Sequence, residues 1–225
     1  MAILAIETSS GKASVALYSD KTLLAFVQNQ RINMQAENLF PLIDQVFEQT
    51  GLDYSKINYL VTSTGPGSFT GIRIGLSAAK GIGIAAKNVQ LMACSNFEVI
   101  AFRAMRQTVR VKDVVVILQC SEQTLYLHSF DSHMSPHHEA RIIRVDELGQ
   151  YLEQYTNLTA IAGNGIQTAL TSIPRRDNLI ILPRYPELDA RLLVILAGYK
   201  LRFNKLISYE LEPLYIKPVS AKIPS

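Results

Sequence analysis

The 225 residues are 48% hydrophobic and 18% charged, which supplies enough apolar side chain for a sizeable core and excludes a disordered chain. Two cysteines exclude a disulfide framework and a cysteine-based zinc cluster, and fit a reducing compartment. The net charge of +3 comes from 7 basic and 7 acidic residues in 1–100 and 15 basic and 12 acidic in 101–225, a diffuse excess that falls short of the clustered basic face of a dedicated nucleic-acid binder.

Met1-Ala2-Ile3-Leu4-Ala5-Ile6 has no basic n-region, so it reads as a strand rather than a secretory signal. Apolar runs such as 114–118 are far shorter than the ~20 residues of a membrane span, and a cytoplasmic location with no membrane contact is expected. Residues 2–7, 14–19 and 22–28 read as short β-branched strands separated by turn residues. Leu39, Leu42, Ile43, Val46 and Phe47 recur at helical spacing over 35–50, and Gly51 stands where a C-cap glycine belongs. A strand at 58–64, a helix at 68–87, a strand at 89–93 and a helix at 95–106 follow. The second half repeats this order: strands at 112–119, 124–130 and 140–145, a helix at 146–155, a strand at 159–163, a helix at 165–171, a strand at 179–182 and a helix at 188–204.

Each half reads β-β-β-α-β-α-β-α, which implies a mixed sheet with helices on its faces. Two copies imply two similar domains, 1–105 and 106–225, with a cleft between them. The last helix is free to pack on either.

Residues 64–75, Thr64-Gly65-Pro66-Gly67-Ser68-Phe69-Thr70-Gly71-Ile72-Arg73-Ile74-Gly75, leave a strand and open a helix. Ser68 or Thr70 suits the N-cap, and a glycine-rich turn before a helix can cradle an anion. No Gly-Lys-Ser/Thr follows, so this is not a Walker A loop. Arg73, a cation in the first turn, opposes the helix dipole and calls for a compensating acid or anion, unless it is simply solvated. Gly71, Gly75, Ala79 and Gly83 form a smooth ridge that costs roughly 1 kcal/mol per interior glycine and suggests close approach of another backbone, from the 35–50 helix or from another chain. Ile74, Ala78, Ile82 and Ala85 make the opposite side apolar too.

The opening Ile3-Leu4-Ala5-Ile6-Glu7-Thr8-Ser9-Ser10, the 65–75 segment and the late Glu212-Pro213-Leu214-Tyr215-Ile216 resemble the bacterial TsaB (YeaZ) family, densely over 1–95 and more sparsely beyond. The resemblance implies an α/β fold of two ribonuclease-H-like subdomains in the actin-like, sugar-kinase-like (ASKHA) class. It implies a non-catalytic part in making the threonylcarbamoyl adenosine beside the anticodon of tRNAs that read codons beginning with A. The implied partners are a TsaD-like paralogue, a TsaE-like ATPase and, through the complex, tRNA, with a homodimer when the chain is alone. No cofactor is expected on the isolated chain, and ATP or ADP is expected, if anywhere, at the complex interface. The implied pairing face comprises Leu39, Ile43, Phe47, Gly71, Gly75, Ala79 and Gly83, so Gly75→Leu is expected to break pairing and leave the fold intact. An anion or nucleotide contact is expected at Glu7, Gly67, Ser68, Thr70 and Arg73. The chain departs from the family's pattern in having Glu7 for Asp, Gln35 for His, and Gln119-Cys120-Ser121 for Asp-Ala-Arg.

The rival reading is a small actin-like kinase or ATPase. It would need carboxylates from both halves around Mg²⁺. Glu7 ends the first strand, whereas Gln119 stands at the matching place in the second half, and Gly163-Asn164-Gly165 is only a weak nucleotide-turn signal. His128, His133, His137 and His138 read as a polar hairpin, since Pro136 disrupts the helical ligand spacing. No metal ligand or catalytic residue is expected, and Cys94 and Cys120 read as small hydrophobes. A third reading, an RNA-binding module, would use Arg103, Arg106, Arg110 and Lys112.

Overall fold

A computed structural model describes residues 1–108, 110–182, 188–203 and 209–216; residue 204, where the expected last helix ends, lies outside them. Strands β1 (Ala2–Glu7), β2 (Ser14–Ser19) and β3 (Thr22–Gln28) are followed by α1 (Gln35–Thr50), β4 (Tyr59–Ser63), α2 (Phe69–Ala85), β5 (Gln90–Cys94) and α3 (Asn96–Gln107). The series then repeats as β6 (Asp113–Gln119), β7 (Thr124–Asp131), β8 (Arg141–Arg144), α4 (Leu148–Leu152), β9 (Thr159–Ala162), α5 (Ile166–Ala169), β10 (Leu179–Ile181) and α6 (Ala190–Arg202).

The first sheet has the order β3-β2-β1-β4-β5 and the second the order β8-β7-β6-β9-β10, so each has the topology of the other. In both, the first three strands are antiparallel and the last two join in parallel, each reached through a helix. Gly51 caps α1 in the left-handed conformation (φ 66°), its N–H donating to Phe47 O at 2.8 Å. The expected helices at 146–155 and 165–171 are shorter than the pattern suggests. Each gives up part of its length to a 3₁₀ turn, Val145–Glu147 before α4 and Leu170–Ser172 after α5.

Among the described residues two compact units result: 1–99 with 188–203 and 209–214, and 100–108 and 110–182 with 215–216. The division falls inside α3 rather than at 105, because the first turn of α3 is tied into the first unit. Ser95 and Glu98 form a reciprocal capping box, Glu98 Oε2 accepting from Ser95 N (2.8 Å) and Ser95 Oγ from Glu98 N (3.2 Å). Glu98 Oε1 also pairs with Lys200 of α6. Helix α6 therefore belongs to the first unit and not to the span 106–225. Ala190 N donates to Ser14 Oγ at 3.0 Å, and a Cβ built at Gly198 would lie against Tyr18 and Ile3. The first core lies between its sheet and α1 and α2, around Leu4, Ile6, Leu39, Ile43, Leu60 and Leu76. The second gathers Val115, Ile117, Leu127, Leu148, Ile161 and Ile166.

Candidate functional site

The strongest polar constellation lies in the first unit, at the carboxyl ends of β1, β4 and β5. Glu7 ends β1 and is 1% exposed. Its Oε1 accepts from Ser9 N at 2.6 Å and from the Ser9 hydroxyl, and its Oε2 accepts from Ser10 Oγ at 2.7 Å. Burial pushes the carboxyl up from 4.5 to about 7, although the serine hydrogen bonds oppose the shift. Ser9 is the hinge to the glycine-rich loop: Ser68 N donates to Ser9 O at 2.8 Å, and Asn96 Nδ2 donates to Ser9 Oγ at 2.8 Å. Asn96 also donates to Pro66 O (2.7 Å), accepts from Ser63 Oγ (2.6 Å), and gives its backbone N–H to Gly65 O (2.7 Å). The Gly65–Pro66 bond is cis.

Of the expected contact residues, this network joins Glu7, Gly67 and Ser68. A Cβ at Gly67 would stand 2.6 Å from Ser9 O, so the loop needs glycine to lie this close to the turn after β1. Ser68, not Thr70, caps α2, its Oγ accepting from Gly71 N at 3.2 Å. Thr70 and Arg73 are exposed on α2, and the Arg73 guanidinium lies 3.9 Å from the centre of the Phe69 ring, a cation–π contact.

The glycine ridge corrects the expected pairing face. A Cβ at Gly71 would stand 2.0 Å from Thr8 O, one at Gly75 2.5 Å from Thr8 Oγ1 and 2.9 Å from Thr62 Oγ1, and one at Gly83 2.7 Å from Leu91 Cδ1. Leu39, Ile43, Gly71, Gly75 and Ala79 are buried inside the unit; Phe47 and Gly83 are half-buried. The ridge lets α2 lie close on its own sheet, so Gly75→Leu attacks the fold. Helical spacing identified an apolar stripe but gave no sign of which side of α2 faces the sheet.

The other face of α2 is only partly covered: Lys80 on it pairs with Glu212 at 2.7 Å, but large apolar side chains beside it are exposed. Ile84 is 79% exposed, Phe69 57%, and Phe40 on neighbouring α1 51%. Gly81 is exposed, and a Cβ there would meet nothing within 4 Å. Sequence reasoning also missed Ser63 and Asn96. The Ser95-Asn96-Phe97-Glu98 run after a strand was the available signal, since it marks a capped helix start at a sheet end.

In the second unit the matching strand end differs. Gln119 is exposed, and its N–H donates to Asn164 Oδ1 at 3.0 Å. The Gly163–Gly165 turn is pressed onto β6: Gly163 has φ +116°, and a Cβ there would stand 2.0 Å from Ile117 O. Cys120 and Ser121 form the β6–β7 turn, both N–H groups donating to Thr124 O at 3.1 Å. The histidines belong to the β7–β8 hairpin. His137 Nε2 lies 2.7 Å from Asp113 Oδ1, His128 Nε2 2.8 Å from His138 O, and His133 N donates to Asp131 Oδ1 at 2.8 Å. Among the described residues no three His, Cys, Asp or Glu gather so as to share a metal. Cys94 is buried in the first unit, where desolvation pushes its thiol up to about 12 and makes it unreactive. No helix among the described residues is long and apolar enough to cross a membrane.

The residues at the first site fit an Mg²⁺-nucleotide poorly. Its one carboxylate is buried and has both oxygens occupied by serine hydrogen bonds, and the equivalent strand end in the second unit carries an amide.

Residues 32–172 match the family model described as TsaD: tRNA N6-adenosine threonylcarbamoyltransferase. The chain is 29% identical over 124 residues to the tRNA threonylcarbamoyladenosine biosynthesis protein TsaB of Buchnera aphidicola (Acyrthosiphon pisum), covering 55% of each chain. It is 39% identical over 88 residues to the TsaB of Escherichia coli, covering 39% of this chain and 37% of that one. The chain thus spans about half the length, or less, of these curated relatives. A solved structure of YeaZ from Pseudomonas aeruginosa superposes with a TM-score of 0.77 at 21% identity over 96% of this chain and 99% of that one. A second structure from that organism, described as similar to peptidase YEAZ, gives 0.80 at 20% identity over the same shares. With the duplicated sheets, these likenesses identify the fold as two ribonuclease-H-like subdomains of the actin-like, ASKHA class.

Proposed function

The chain belongs to the TsaB (YeaZ) branch of the tRNA N6-adenosine threonylcarbamoyltransferase family, and from that premise we propose that it is a non-catalytic subunit that activates a TsaD-like paralogue. In this reading the pair transfers a threonylcarbamoyl group to the adenosine beside the anticodon of tRNAs that read codons beginning with A. A TsaE-like ATPase joins the assembly, and ATP or ADP, where it takes part, is held by the assembly rather than by this chain alone.

The observation that carries the proposal is the partly uncovered face of α1 and α2. Phe40, Phe69 and Ile84 are large apolar side chains left to water, and Gly81, one turn before Ile84, leaves bare backbone at a cost of about 1 kcal/mol with nothing among the described residues within 4 Å of a Cβ there. A facing helix would cover the apolar groups and use the bare backbone for close approach. The matched segment, 32–172, takes in both helices, so a transferase of the family carries counterparts of them. Two related faces can pair about a pseudo-two-fold axis, and in the transferase's absence the same face supports a homodimer. The buried, serine-bound state of Glu7 supports a structural part for it. It holds Ser9, Ser9 holds the loop, and the loop fixes the start of α2.

Light scattering on a sizing column tests this, with the chain alone and mixed with the TsaD-like protein of the same organism. A one-to-one complex replacing a homodimer is expected. Ile84→Asp should abolish both species and leave the circular dichroism melt unchanged, because Ile84 is exposed. Unshifted peaks from two folded proteins, with and without ATP, would refute the pairing.

A further inference from the structure

The basic excess, diffuse along the sequence, is gathered by the second unit's topology. The strands β6, β9 and β10 are parallel neighbours, so the segments that lead into them, 103–108 with 110–112, 153–158 and 173–178, emerge at one edge of the sheet. Hydrogen bonds lace the three into one surface. Lys112 N donates to Leu158 O and Thr159 N to Asn178 O, each at 2.8 Å. Arg176 donates to Leu152 O (3.1 Å) and Tyr155 O (2.6 Å), satisfying carbonyls left over at the end of α4. With strands about 4.8 Å apart, the backbone at Lys112 and at Asn178 is separated by roughly 10 Å.

These segments hold Arg103, Arg106, Arg110, Lys112, Arg175 and Arg176 against two acids, Glu153 and Asp177. The whole chain has a net charge of only +3, so the rest of it is slightly acidic. Arg106, Arg110, Lys112 and Arg175 are exposed. Of the acids at the same edge, Asp113 is 7% exposed and engaged by His137, and Asp131, opposite it in the β6–β7 ladder, is half-buried and accepts from His133 N and Ser135 N, so both are already engaged within the chain. Arg110 sits in the left-handed region at φ +78°, a conformation uncommon for a residue other than glycine.

We infer that this edge of the second unit is a docking surface for the phosphodiester backbone of RNA, and that, on the proposed function, it holds the tRNA brought to the complex. Exposed arginine and lysine on a braced rim neutralise phosphates without reading bases, as a subunit serving several tRNAs requires. No large aromatic side chain is exposed on these three segments to stack a base, which also favours backbone over base contact.

The test is filter binding of a tRNA transcript that reads a codon beginning with A, by the full chain alone and with the TsaD-like protein, from 50 to 300 mM salt. The variant Arg110→Glu/Lys112→Glu/Arg175→Glu alters only exposed side chains, and its melt and its pairing with the transferase are followed in parallel. The expected result is a loss of RNA affinity of roughly tenfold or more at low salt, a log–log salt slope smaller by about 2 to 3, and unchanged pairing. Wild-type affinity and slope in the variant would overturn the inference. So would unaltered RNA binding with lost recruitment of the TsaE-like ATPase, which would make the edge a site for an acidic protein. Failure of the chain to pair with the transferase would sink the proposed function, while RNA binding by the isolated chain would still decide this inference.

Discussion

In the first unit the opening strand ends in a buried carboxylate held by two serines; in the second the opening strand ends in the exposed amide of Gln119. The strand orders are the same and the loops that follow β4 and β9 each carry a positive-φ glycine, Gly65 and Gly163, although Gly67 is the residue that lies against the turn after β1 and Gly163 itself presses on Ile117 of β6. The helices that cover the sheets are not the same. α1 and α2 have 16 and 17 residues, whereas α4 and α5 have 5 and 4. The duplicated topology therefore sets where a polar site can form without requiring one in both copies. The first unit keeps a polar network and long helices with a partly uncovered face. The second gives up helix length and carries its charge at the opposite ends of the parallel strands.

The largest expected effect that tests this contrast is at Gly75. Gly75→Leu should cost about 3 kcal/mol or more, seen as a large drop in melting temperature, because a Cβ alone would stand 2.5 Å from Thr8 Oγ1 in a fully packed site. A wild-type melt would mean that α2 lies farther from its sheet than described.

Glu7 offers the next effect. Its carboxyl rises from 4.5 unfolded to about 7 folded. Below pH 4.5 both states hold the proton, and above pH 7 both have lost it while the folded carboxylate remains desolvated. Stability should thus fall by about 3 kcal/mol as pH rises from 4.5 to 7. Urea melts of Glu7→Gln across pH 5 to 8 should lack this decline, and equal slopes in the two proteins would remove burial as the cause.

Gly81→Ala should raise the stability of the isolated chain by up to ~1 kcal/mol, since nothing lies within 4 Å of the new methyl, and should weaken pairing with the transferase. The smallest effect is expected from Gln119→Glu. Placed at the exposed end of β6, the new carboxylate should titrate normally and shift stability by less than ~0.5 kcal/mol at any pH. A pH dependence like that of Glu7 would show that the second copy retains the first copy's buried site.

The element order was legible because each strand and helix carries its own periodicity and its own stop signals. Gly51 ended α1 as read, and Ser68 proved to be one of the two capping residues considered. Glu7 and the Gly65–Gly71 loop stood out because a carboxylate and a glycine-rich turn at strand ends leave a local signature, and Ser9 links the two. Asn96 was not, since its partners Ser9, Ser63 and Pro66 stand 30 or more residues away.

The duplicated strand and helix order and the family likeness could be read from the amino acids, because both rest on local patterns along the chain. That the glycine ridge of α2 faces its own sheet and that α6 returns to the first unit became visible in the folded molecule. It alone also revealed that three separate basic segments share one edge. Each depends on which residues meet across long loops, a matter of packing and strand pairing that no local pattern encodes.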